Sequence, residues 1–326
     1  MRSVYVITSC KNAGDTINET ITSVVSQGGD FRLYYHVQDA VSIDGTIEIL
    51  KNWKYLIDNK FFPVACRELY FSYASEPDKG MYDGIQKGYA QFSISADSFM
   101  TWVNADDILV PYALSSILKV EKDIPEVKWI TGDMCHLKDS AITQTHKDVY
   151  FPKELVAYGL ADYRIYHSIQ QEGTFWKTSL FEEVGGLNVN LKYAGDFDLW
   201  MRMAKLETLW SYPAALACFR NRQGQLSNDL EAYSNEIDQC VDYKEKVKAW
   251  EKYLNGLRQN NGLAEHPIIR FDYARNVFLK TTLNVNDAVP SFMLFEKMSI
   301  YRRLKNKLKQ YRFLRFVYFK IKGRSK

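Results

Sequence analysis

The strongest constraint on this chain is an alternation. Apolar, β-prone runs at residues 3–10, 31–38, 63–70 and 98–103 are each followed by a polar loop and a helix-like segment. The first three of those segments cover about 16–27, 47–59 and 83–92. Strands and helices in strict turn, with short polar connections, predict an α/β fold whose mostly parallel, open sheet is flanked by helices. A further strand is expected over 127–133.

The fourth run, Ser98-Phe-Met-Thr-Trp-Val-Asn-Ala-Asp-Asp107, stops on two carboxylates, Asp106 and Asp107. Open α/β sheets bind ligands at the carboxyl ends of their strands. A carboxylate pair there suits a hard divalent cation shared with substrate phosphates. An isolated Asp-Asp pair is also what ends a strand and solvates a turn, so the other strand ends decide. Asp39 follows the second strand and Asp44 lies in the loop after it. In a parallel sheet these ends share one edge, where carboxylates can accept from a base N–H or ribose hydroxyls.

Several classes are excluded or disfavoured. No Gly-x-Gly-x-x-Gly follows the first strand and no Gly-x-x-x-x-Gly-Lys-Ser/Thr occurs, which argues against a dinucleotide-binding oxidoreductase and a P-loop NTPase. The five His show no metal-site spacing, and the five Cys are scattered without a Cys-x-x-Cys. A reduced, cytoplasmic chain is therefore expected rather than a disulfide scaffold or zinc site. No signal-peptide pattern opens the sequence, and no apolar run reaches the roughly 20 residues of a membrane-spanning helix.

Further blocks stand in order along the first 220 residues. Thr8-Ser-Cys-Lys-Asn12 opens the chain, Val24-Val-Ser-Gln27 ends the first helix, and Gln38-Asp39 precedes Ser42-Ile-Asp-Gly-Thr46. Ser75-Glu-Pro-Asp-Lys-Gly-Met-Tyr-Asp83, Val103-Asn-Ala-Asp-Asp107, Phe175-Trp176, Val184-Gly-Gly-Leu187 and Ala194-Gly-Asp-Phe-Asp-Leu-Trp200 follow. Together these blocks resemble the family 2 glycosyltransferases of bacterial polysaccharide biosynthesis, which have the nucleotide-sugar-binding GT-A fold. The resemblance implies a role for each block. Asp39 would accept from the uracil or equivalent base, with Thr8 and Asn12 in the same pocket. Asp44, Asp78, Lys79, Asn104 and Asp107 would complete the nucleotide-sugar site. Asp106 would hold Mg²⁺ or Mn²⁺, and Asp196 would be the general base. Phe175, Trp176 and Trp200 would lie on the acceptor side. Asn104 stands where many relatives have Asp, Ala40-Val41 where many have Gly after the Asp, and Gly195 where Glu is usual. The Gln-x-x-Arg-Trp motif of processive synthases is missing.

The expected activity is inverting transfer of one sugar, from a UDP-sugar or similar donor to a glycan or lipid-linked acceptor. A sugar nucleotidyltransferase and an inactive glycan- or nucleotide-binding module are the alternatives. The catalytic domain is expected over 1–225. A helical C-terminal region is expected over 226–326, with helices at 230–257, 267–283 and 299–321. Residues 297–326 carry 12 Lys or Arg and no Asp or Glu, against a net −9 for residues 1–296. Basic cations interleaved with Leu, Phe and Tyr over 298–326 suit an anionic membrane surface at the inner face, or a helix packed back on the acidic body. Nothing in the sequence points to nucleic acid.

Overall fold

The computed structural model describes residues 2–94, 98–138, 141–146, 150–165, 167–260 and 264–285. The amino-terminal half follows the expected alternation: β1 (Ser3–Cys10), α1 (Ile17–Val25), β2 (Gly29–Asp39), α2 (Thr46–Asp58), β3 (Cys66–Ser75), α3 (Met81–Ala90) and β4 (Phe99–Trp102). Then come β5 (Ile108–Leu109), α4 (Ala113–Asp123), β6 (Trp129–Lys138), β7 (Ala141–His146) and α5 (Lys153–Ala157). The next stretch holds β8 (Thr174–Lys177), α6 (Thr178–Glu183), α7 (Gly195–Leu206), β9 (Trp210–Ala215) and β10 (Ala217–Arg220). Last are α8 (Leu230–Cys240), α9 (Tyr243–Gln259), β11 (Ala264–Asp272) and β12 (Val277–Val285).

The described strands form one sheet with the path β12-β11-β9-β6-β8-β4-β1-β2-β3. Strand β1 runs parallel to both β2 and β4, and β2 parallel to β3. The run β1, β2, β3 grows in one direction and β4 then lies on the other side of β1. That reversal opens a crevice at the carboxyl ends of β1 and β4, where such sheets take ligands. Strand β8 is antiparallel to both β4 and β6, so its amino end meets the carboxyl end of β4.

Strand β4 is buried along its whole length and β1 nearly so, as expected for strands covered on both faces. On one face α1 and α4 supply Ile17, Ile21, Val24, Leu114 and Ile117 to the larger core. On the other, α3, α6 and α7 supply Tyr82, Ile85, Leu180, Leu199 and Met203.

Two expectations for the carboxyl-terminal region need correction. The helix expected over 267–283 is a hairpin, β11 paired antiparallel with β12, and β11 also pairs with β9. Its β-branched and aromatic residues favour strands. Its turn is set by Asp272, whose carboxylate accepts from the N–H groups of Ala274 and Arg275, and by Asn276 in the left-handed region. The region after 226 is therefore not all helical, and this hairpin extends the main sheet. The helix expected over 230–257 is two helices. Asp242 breaks it by capping α9 with hydrogen bonds from the N–H groups of Lys244 and Glu245. The helix expected over 299–321 and the basic segment 298–326 lie outside the described residues. No helix among the described residues is long and apolar enough to cross a membrane.

The fold also brings together two cysteines that are far apart in sequence. Cys135 on β6 and Cys218 on β10 form a disulfide, their Cα atoms 4.5 Å apart on neighbouring strands, which corrects the fully reduced chain expected from Cys spacing. Cys10, Cys66 and Cys240 are free. Alkylation after unfolding without reductant should modify three of the five cysteines, and peptide mapping should leave Cys135 and Cys218 unmodified. Alkylation of all five would contradict the pairing.

Candidate active site

The crevice widens into a cavity of about 660 Å³, within the range of small-molecule sites. Of the residues singled out from sequence, Asp78, Asn104, Asp106 and Asp196 line it. Asp106 and Asn104 come from the loop after β4, Asp78 from the loop after β3, and Asp196 from the first turn of α7. Distant segments meet here because strand ends of one sheet share an edge.

Asp106 is ion-paired: Arg222 Nε donates to its Oδ2 at 2.6 Å and Gln225 Nε2 to the same oxygen at 3.1 Å. Its Oδ1 has no hydrogen-bond partner among the described residues. Asp107 is fully buried behind it. Its Oδ1 accepts from the Arg220 backbone N–H at 2.7 Å and its Oδ2 from Asn104 Nδ2 at 2.9 Å. The two neighbouring carboxylates thus divide the work: Asp106 faces the cavity, and Asp107 fixes the loop to β10.

Glu172, in the turn before β8, is a wall residue that sequence reading missed. Asn104 Nδ2 donates to its Oε1 at 3.2 Å, bridging it to Asp107. Burial drives both carboxyls toward the protonated form, and their mutual charge adds to this for Asp107. Beside it, Gln171 donates from Nε2 to the Trp102 carbonyl at 2.6 Å, while its buried Oε1 has no partner among the described residues.

Asp196 also lines the cavity. Its Oδ1 accepts from the Tyr82 hydroxyl at 3.2 Å, and that hydroxyl also approaches the Tyr193 carbonyl at 3.0 Å. Burial lifts the Asp196 carboxyl to about 6, opposed by hydrogen bonds from the Phe197 N–H and Tyr82. Asp198, two residues on, is held by Arg202 through Nε and Nη2 at 3.0 and 2.7 Å, pointing away from the cavity. The usual Glu could not stand at position 195. A Cβ there would lie 2.6–2.8 Å from the Tyr82 ring.

Other sequence-based expectations are not met. Phe175, Trp176 and Trp200, expected on the acceptor side, do not line the cavity. They are 0%, 0% and 3% exposed. Phe175 belongs to the larger core, and Trp176 and Trp200 pack edge-to-face at 5.2 Å, with Trp200 stacked on Trp102. The outer wall is instead made by Tyr163, Lys192, Tyr193, Leu226, Leu230 and Tyr233.

Thr8 is buried against Tyr35, their hydroxyls 3.0 Å apart. Asp44 is a clamp rather than a wall residue. It accepts from the Thr46 hydroxyl and N–H and from the Gly14 N–H, and these bonds, the Thr46 hydroxyl first, hold its carboxyl below the ordinary range. Asn12 Oδ1 accepts from the Ile43 N–H, and the Lys79 side chain is exposed outside the cavity. Asp39 is fully buried, accepting from the Ser42 N–H and from the Ser42 and Ser75 hydroxyls. Val41 makes this possible by taking φ 56°, a costly conformation for a β-branched residue, which folds Ser42 back onto Asp39. The protein thus already occupies both Asp39 oxygens.

Among the described residues no cluster of three or more His, Cys, Asp or Glu is suited to a metal ion. The donor set here is one open oxygen of Asp106. That fits Mg²⁺ or Mn²⁺ only in the substrate-assisted manner, in which one or two carboxylates share the ion with phosphates and water.

No family model matches the chain, and no curated protein matches it in sequence. Solved structures do match in shape. TarS residues 1–349 of S. aureus in complex with UDP-GlcNAc shares a TM-score of 0.55 at 14% identity, over 79% of this chain and 73% of that one. The same TarS fragment with UDP gives 0.52 at 15% identity, over 79% and 72%. The mannosyltransferase PcManGT from Pyrobaculum calidifontis, in complex with GDP-Man and Mn²⁺, gives 0.50 at 16%, over 77% and 64%. At these identities the likeness concerns architecture alone: the chain shares with these structures a GT-A-like fold, a mostly parallel open sheet flanked by helices.

Proposed function

We propose that this protein is an inverting glycosyltransferase, moving one sugar from a nucleotide-sugar to a hydroxyl of a glycan or lipid-linked acceptor. The observation that carries the reading is that Asp106 and Asp196, far apart in sequence, line one cavity at the sheet's switch point. The solved structures of similar shape, with UDP-GlcNAc and GDP-Man bound, support this choice of donor class.

The donor diphosphate would lie near Asp106 and Arg222, with the sugar toward Glu172 and Gln171. The acceptor would enter past Tyr163, Leu226 and Leu230. Asp196 accepts the proton of the attacking hydroxyl as the bond to the anomeric carbon forms and the diphosphate leaves from the opposite face. Asp106 would hold Mg²⁺ or Mn²⁺, which when bound neutralises the leaving diphosphate. The Arg222 guanidinium lies within reach of the same charge. Glu172, buried and kept toward its neutral form, adds little negative charge beside an anionic donor.

A panel of nucleotide-sugars tested by thermal shift, followed by measurement of UDP or GDP release, checks this. Because no cluster of three or more ligating side chains stands among the described residues, Mn²⁺ without nucleotide is expected to leave Tm nearly unchanged. Mn²⁺ with the right donor at a hundredfold excess over Kd should add about 2.7 kcal/mol of stability. Asp106→Ala should abolish the metal-dependent part of that gain. If no donor stabilises the protein or is turned over, the assignment fails.

A further inference from the structure

Helix α7 begins without a cap of its own. Its N-cap residue is Ala194, which has no side chain to accept a hydrogen bond, and the residue after it, Gly195, is denied one by the Tyr82 ring. Yet the turn entering α7 carries Asp196, whose position must be fixed if it is to take a proton from a bound hydroxyl. Three successive N–H groups of that turn converge on one side chain from another helix, Glu236 of α8. Its Oε2 accepts from Tyr193 at 2.7 Å and Ala194 at 2.8 Å, and its Oε1 from Lys192 at 2.9 Å. Tyr82 holds the opposite side of the same turn through the Tyr193 carbonyl.

Neighbouring residues supply α8 with docking contacts of their own. Ile237, fully buried, packs with Ala194 and Phe197. Tyr163 reaches Ser234 at 2.8 Å, and Arg164 reaches Asp238 at 2.8 Å. With docking supplied by its neighbours, Glu236 is left with one set of partners, the backbone that leads into Asp196. Anionic groups are also favoured at a helix amino terminus, so the carboxylate suits this end of α7.

We propose that Glu236 is the positioning residue for Asp196, acting through the backbone of residues 192–194, so that α8 is part of the catalytic apparatus. This rests on the transferase reading given above. Glu236 touches no reacting atom. It fixes where the Asp196 carboxylate stands relative to the acceptor hydroxyl.

The groups facing Asp196 are Tyr82 from α3, Tyr233 and Glu236 from α8, Glu172 from the turn before β8, and Lys192 and Tyr193 from its own approach. Glu236 is the anion among them that a Glu236→Gln change neutralises while keeping an oxygen to accept N–H bonds. The full chain is assayed for UDP or GDP release from UDP-GlcNAc and GDP-mannose across pH, with Tm measured for each variant. Glu236→Ala should lower kcat by about 100-fold at unchanged donor KM, the scale of a misplaced reacting group. Glu236→Gln should recover most of that loss and move the acid limb of kcat to lower pH, since a charge that favours protonated Asp196 is gone. A folded Glu236→Ala with wild-type kcat overturns the inference. If that variant does not fold, a folded Glu236→Gln with an unmoved acid limb overturns it instead. Asp196→Asn run alongside separates the two levels. No stabilisation by and no release from any donor of the nucleotide-sugar panel removes the transferase reading and this inference with it. Release that Asp196→Asn abolishes and Glu236 variants do not alter removes this inference alone.

Discussion

Asp196→Asn is expected to lower sugar transfer by about 10²–10⁴-fold, the usual contribution of a positioned general base. Donor affinity should stay within about twofold of wild type. Asn keeps the shape of the side chain and can still accept from the Tyr82 hydroxyl, so the wall of the cavity should not move. What it loses is the ability to take a proton. The direction of the pH profile follows from the same group. Burial lifts the Asp196 carboxyl to about 6, so the base is ionised above that pH and protonated below it. Wild-type kcat should therefore fall as pH drops through about 6, and the residual rate of Asp196→Asn should lack that limb. Isothermal titration with donor, next to a steady-state pH series, reads both effects. Full transfer by the variant would place the base elsewhere, and Glu172 would be the next carboxyl on the cavity wall to examine. Asp198 would not be, because Arg202 holds it in an ion pair away from the cavity.

What could be read in advance divides along a physical line. The alternation of apolar runs and helices located β1 to β4 and the helices between them, because local periodicity reports which residues a parallel sheet buries. Asp106, Asp78, Asn104 and Asp196 were legible because each stands in a motif at an element boundary. Glu172, Arg222, Gln225 and Glu236 were not. Glu172 reaches the site only because β8 runs antiparallel between β4 and β6, and pairing partners are not written in the local pattern. Its only sequence signal is the polar run Gln170-Gln171-Glu172, one glycine before a buried Thr-Phe-Trp strand. Glu236 is a surface-type residue on an amphipathic helix, and its role appears only once α8 lies against α7. The misreadings have similar causes. Trp176 and Trp200 have the composition of a sugar platform, but four tryptophans, with Trp102 and Trp129, interlock as core. The spacing over 267–283 suits a helix, yet Asp272 and Asn276 mark the turn of the β11–β12 hairpin. Likewise Asp242 and Glu245, spaced as in a capping box, mark the start of α9.

Removing Asp162 is expected to be the most destabilising single change outside the main core. Its side chain is fully buried, and Arg164 grips it through Nε at 2.8 and 3.0 Å and Nη2 at 2.6 Å. Lys246 of α9, itself buried, reaches it at 3.4 Å. Burial pushes the Asp162 carboxyl up, but the Arg164 hydrogen bonds and the Lys246 charge outweigh it and leave it below its ordinary value. Asp162→Ala would leave the Lys246 ammonium buried without its carboxylate. Arg164 would keep only the exposed Asp238 as an acidic partner. Breaking a buried ion cluster from one side costs about 3–5 kcal/mol, against about 0.3–0.5 kcal/mol for an exposed i,i+4 pair such as Lys54–Asp58. Denaturant titration of Asp162→Ala and Asp58→Ala should therefore differ several-fold in lost stability. The sign with pH is fixed by the depressed carboxyl. Its contribution is complete above the carboxylate's unfolded pKa and is lost as pH falls through the lower folded value, so the gap between wild type and Asp162→Ala should close in acid. The same change should reach the chemistry. Arg164 also meets the Ser234 carbonyl of α8 at 3.4 Å, and α8 carries the carboxylate that grips the turn before Asp196. A loss near 3 kcal/mol with an unchanged kcat would mean that α8 holds its place without this cluster. A loss below about 1 kcal/mol would mean that apolar contacts of α9, with Trp250 against Leu155 and Ile165, suffice to dock it.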